Sequence, residues 1–135
     1  MMNKWWMVVA ALLISSSVTA RDVSELSSPI VLLTPVVGKH ADVLGLSPEQ
    51  RRILREWVAS APAKRVAVED QAMELRAQLR EAIYQGAAPA EREALAQRIG
   101  ELEAQLLMIR SLCVDHWRTH LSAEQFAMAL ELASK

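Results

Sequence analysis

The sequence predicts an all-α fold, an elongated antiparallel hairpin of two long helices flanked by short helices. Three observations predict it. Two pentads, LSPEQ at Leu46 to Gln50 and LSAEQ at Leu121 to Gln125, carry a helix-start spacing: a Ser and a Gln three residues later, each able to satisfy a free backbone N–H of the other. Between the pentads, apolar residues recur at steps of three and four rather than two. The four Gly and five Pro fall where helices begin, bend or stop, and nothing reads as a ladder of strands.

Residues 1–20, MMNKWWMVVAALLISSSVTA, read as a cleavable signal peptide: a basic Lys4, an apolar run from Trp5 to Ile14, polar serines, then the small-residue ending Val18-Thr19-Ala20. The run is shorter than the roughly 20 residues needed to cross a bilayer, so cleavage after Ala20 is favoured over an uncleaved anchor. Residues 21–29 are polar and unpatterned and read as a flexible lead, leaving 30–135 as one helical domain. Removing the leader takes away Lys4 and moves the formal charge from -1 to -2, which gives no reason to expect nucleic-acid binding.

Ser28-Pro29 offers a cap and a first-turn proline for a short apolar helix reaching about Leu44, with Pro35 breaking or kinking it. The second helix starts at the Ser47 capping box, runs to about Gln85 with Pro62 bending or interrupting it, and is stopped by Gly86. Its inward stripe is Val68, Ala72, Leu75, Leu79 and Ala82 or Ile83. The third starts near Pro89 and carries the seam Leu95, Ile99, Leu102, Leu106, Ile109 and Cys113, which the same steps continue to His116 and His120. The last starts at the Ser122 capping box, with Leu121 able to staple against Phe126, and ends near Ser134.

Cys113, His116 and His120 lie at i, i+3 and i+7, within a wedge of about 60° on one helix face. The first and last stand about 10.5 Å apart along a straight helix, too far for one ion with bonds of about 2.0 to 2.3 Å. Cys113 with His116, or His116 with His120, can still form part of a site completed by Asp115, another helix or a second protomer. Thiolate with imidazole favours zinc or copper over magnesium or calcium. The competing reading is seam packing for Cys113, with both histidines at the wetted helix end; a third is an intermolecular disulfide, since the chain has one cysteine. His40 reads as a surface histidine, or as a further ligand if the first helix folds over the last. Met73, Met108 and Met128 read as core fillers, and Trp57 and Trp117 as core residues ahead of an interface role. The mixed charges of 51–56 and 91–103 read as solvated faces. No Gly-rich phosphate loop, H-E-x-x-H or G-x-S-x-G is present, so a non-enzymatic role is expected.

Through its two pentads the chain resembles the Spy/CpxP family of periplasmic stress proteins, whose repeated LTxxQ signature they match with Ser in place of Thr. Ser caps a helix as Thr does. The resemblance covers about Ile30 to the C-terminus and places Leu46, Ser47, Gln50, Leu121, Ser122 and Gln125 on the family motif, where the pentads sit together at the hairpin's ends. It implies a periplasmic homodimer whose concave helical surface receives unfolded proteins or the periplasmic domain of a membrane sensor kinase. The family's ZraP and CnrX branches are linked to metals, but the His-rich pattern of the CnrX-like branch is not reproduced here. The Spy-like positive cradle is also missing from a chain that sums to -2.

Overall fold

The computed structural model describes residue 26 and residues 30–135, so the leader and most of the lead lie outside the described residues. The described chain is all-α, with α1 at Thr34–Lys39, α2 at Pro48–Tyr84, α3 at Pro89–His120 and α4 at Ala123–Ala133. The two long helices, 37 and 32 residues, pack along one another as an antiparallel hairpin, and α1 and α4 close over its open end. None of these helices is long and apolar enough to cross a membrane.

Local chemistry sets the ends of α2. Ser47 Oγ accepts the N–H of Gln50 at 3.1 Å, and the Gln50 side chain accepts the N–H of Ser47 at 2.9 Å. At the far end Gly86 takes φ +69°, a conformation that favours glycine. Its N–H bonds to the Ile83 carbonyl and the Ala87 N–H to the Ala82 carbonyl, so the last carbonyls of α2 are satisfied as the chain turns. Pro62 does not interrupt α2, which runs unbroken from Pro48 to Tyr84 with the proline inside it, so of the two expectations, bending or interruption, the second is corrected.

The first helix differs from the sequence reading. It begins at Thr34 with Pro35 in its first turn, so this proline opens the helix instead of kinking it. Ser28-Pro29 lies outside the described residues. The helix ends at Lys39, not near Leu44: residues 40–45 form turns closed by Gly45 at φ +66°, with Leu46 N–H on the Ala41 carbonyl.

Apolar burial falls into two clusters. One, in mid-hairpin, joins Val68 and Ala72 of α2 to Leu102 and Leu106 of α3, with Leu26 of the lead. The other lies at the clasped end, where Leu33, Val37, Leu44 and Leu46 meet Trp117, Leu121, Phe126 and Ala129. On α2 the expected stripe holds at Val68, Ala72 and Ala82, with Leu75 and Leu79 half-buried, whereas Ile83 is exposed. On α3 the seam runs through Ile99, Leu102 and Leu106, then passes half-buried Ile109 and Cys113 and steps by four to Trp117, which is 0% exposed. The inward residue at this end is therefore Trp117, not His116 or His120. α1 and the Leu33 that precedes it supply the reason: Leu33 and Val37 share the indole's buried cluster, and the indole N–H donates to Thr34 Oγ1 at 2.8 Å. Met73 packs against the mid-hairpin cluster, but Met108 and Met128 are exposed, correcting their reading as core fillers; Met108 sits two residues past inward Leu106, about 200° round the helix.

Candidate functional site at the clasped end

The second pentad repeats the first. Ser122 Oγ accepts the Gln125 N–H at 3.1 Å and the Gln125 side chain accepts the Ser122 N–H at 2.9 Å. Closing the hairpin sets the two boxes against each other. Gln50 Nε2 donates to Gln125 Oε1 at 2.7 Å and to the His120 carbonyl at 3.0 Å. Gln125 Nε2 donates in return to Gln50 Oε1 at 3.1 Å and to the carbonyls of Leu44 and Gly45 at 3.2 and 3.3 Å. Each amide thus caps its own helix and ties down the backbone that enters the other. Leu46 and Leu121, which open the two pentads, are buried in the same cluster.

Beside this clasp lies a stack of rings. His116 lies face to face on Trp57 of α2, with centroids 3.6 Å apart and planes 14° apart. It meets Trp117 edge-on at 4.8 Å and stands 4.5 Å from the ring of His120. Burial pushes the basicity of His116 down, and the neighbouring His120 pushes it further. His116 Nε2 is shut off from solvent with no hydrogen-bond partner, so a proton placed there finds no acceptor.

This environment sets the sign of a pH dependence. The unfolded chain protonates His116 near pH 6.5, the folded chain only at lower pH, so the unfolded state binds more protons between the two values. The His116 contribution to stability is complete above that pH and declines as pH falls toward the folded value. Urea midpoints measured between about pH 7.5 and 5 are expected to fall with acidification, and His116→Phe to flatten that slope.

Of the sequence-predicted ligands, the structure brings His116 and His120 together. Cys113 is half-buried one turn below, and burial raises its thiol above the ordinary value, an effect opposed by Arg110 and Arg65. His40 lies directly after α1, where its N–H bonds to the Val36 carbonyl. Among the described residues, no three His, Cys, Asp or Glu side chains gather closely enough to hold an ion.

Two features of the site differ in how far periodicity reaches them. The Trp57–His116 stack joins positions 59 residues apart, and no local spacing announces it. The glutamine clasp does leave a signal, the identity of the two pentads at four of five positions.

No protein-family model matches this chain, and neither the curated proteins nor the solved structures give a match.

Proposed function

We propose that the chain works after export as a non-catalytic stress-response protein of the Spy/CpxP kind, holding partly unfolded clients on the outer faces of its helical hairpin, as one of a pair of protomers. The observation that carries this reading is the reciprocal Gln50–Gln125 clasp between two like pentads, which gives the shared signature a structural task. The apolar residues left in water support it: Met108 and Leu112, one turn apart on α3, are 58% and 54% exposed, and Val58 of α2 is 52% exposed.

Light scattering by a thermally unfolding client such as citrate synthase tests the proposal. The wild-type chain is expected to suppress the signal as its molar ratio approaches one per client, and Met108→Glu with Leu112→Glu to lose most of that suppression while keeping its far-UV circular dichroism. Undiminished aggregation at every ratio would sink the client reading and leave docking to a periplasmic sensor domain.

The alternative is a zinc or copper sensor or buffer built on Cys113 and His116, with His120 and His40 as further ligands. With no set of three donors assembled among the described residues of one chain, such a site draws ligands from a second protomer. Calorimetry of the reduced chain with Zn²⁺ and Cu⁺ then gives one ion per two chains, and Cys113→Ser abolishes the heat.

A further inference from the structure

A crevice opens where α1 crosses the hairpin beside Pro62, walled by Pro35, Trp57, Pro62, Ile109 and Cys113 with Arg110 at its edge, and it has room for about 160 Å³. The volume is close to that of a cavity that takes up benzene, about 150 Å³. Its walls are largely apolar apart from Thr34, whose Oγ1 accepts the Trp117 indole N–H, and two guanidinium groups, Arg65 and Arg110. Arg65 is already held by buried Glu69 at 2.6 Å. Arg110 has no ion pair or hydrogen bond from its side chain among the described residues, although it is half-buried and its charge is disfavoured by burial and by Arg65. Of the two guanidiniums, Arg65 has a carboxylate within ion-pair distance and Arg110 has none among the described residues.

The geometry points to this crevice as a binding site for a small monocarboxylate with an apolar body of about ring size, the body lodged between Trp57, Pro62 and Ile109 and the carboxylate paired with Arg110. A carboxylate supplies the two acceptors that match a guanidinium fork and a negative charge to face Arg110. The apolar body accounts for the remaining walls, in the usual division of a small-molecule site between many apolar contacts and few polar ones. The crevice shares Val58 with the exposed apolar residues proposed to hold clients, but its polar anchor Arg110 is not one of them, so the site stands whether or not the chain holds clients.

The chain's single cysteine lines the crevice and makes occupancy readable. The full reduced chain is alkylated with iodoacetamide, followed by mass spectrometry, in the presence of benzoate or of its neutral isostere benzamide. Benzoate at about ten times its dissociation constant is expected to slow the reaction about tenfold, since about a tenth of the sites remain empty. Benzamide is expected to have little effect at the same concentration. Arg110→Gln is expected to weaken benzoate binding about tenfold or more, the loss of a charge-assisted pair, so that the same benzoate concentration slows alkylation about twofold or less, and Arg110→Lys is expected to weaken it by less. Far-UV circular dichroism of each variant checks that it is folded, as expected for a change at partly exposed Arg110. Equal protection by benzoate and benzamide, protection by neither, or full benzoate protection in Arg110→Gln would each overturn the assignment.

Discussion

Trp117→Ala is expected to lose about 3 to 5 kcal/mol of folding stability, the usual cost of emptying a fully buried tryptophan site. That is a large share of the roughly 5 to 15 kcal/mol that holds a domain of this kind together, so the variant should be largely unfolded at moderately raised temperature. Trp117 is 0% exposed and touches the cluster that joins α1, the 40–46 turns, α3 and α4. Leu33 and Val37 are themselves fully buried in the same cluster, so refilling the emptied site would disturb their packing. Trp117→Phe separates the two contributions: the ring stays, the indole donor to Thr34 Oγ1 goes, and about 1 kcal/mol is expected to be lost for the hydrogen bond, with a further loss for the smaller ring. Urea denaturation followed by far-UV circular dichroism measures both. A loss below about 1 kcal/mol for the alanine variant would mean that the long hairpin holds without its clasped end.

Gln125→Ala is expected to cost about 2 to 3 kcal/mol, since it removes a helix cap and the bonds that hold the 44–45 backbone in place. Gln50→Ala is expected to cost a similar amount for the matching reasons. The double variant should lose less than the sum by about 1 to 2 kcal/mol, because each single change already breaks the amide pair. Strict additivity would show that the two boxes act as independent caps and that the clasp adds nothing. Gln50→Glu sharpens the test. A glutamate still completes a capping box, yet its carboxylate has no N–H to give and would face Gln125 Oε1 and the His120 carbonyl. This variant is expected to keep the α2 cap and to lose only the two bonds that Gln50 Nε2 donates, about 1 to 2 kcal/mol by urea denaturation at neutral pH.

How far the site is legible in the sequence depends on how local each contact is. The capping boxes are legible because Ser47 and Gln50, or Ser122 and Gln125, are three residues apart and satisfy each other within one turn. The α3 seam is legible up to Cys113, where α2 faces it and a regular step keeps the apolar side inward. Beyond Cys113 periodicity selects His116 and His120 over Trp117, whereas in the structure α1 joins the packing there and rewards the larger ring. Pro35 is ambiguous for a related reason: a proline can end one helix or begin another, and the outcome depends on which segments pack beside it.

The all-α class, the bounds of the two long helices and the start of the last are written into the amino-acid order, since they rest on caps, glycine stops and apolar spacing acting within a few residues. Other features arise only in the folded chain: which ring fills the end of the bundle, the clasp of two glutamines 75 residues apart, and the meeting of Trp57, Arg110 and Cys113 in one crevice. The difference is one of range. A cap closes within one turn of its own helix, whereas these contacts exist only after the hairpin has closed and distant segments compete for one buried place.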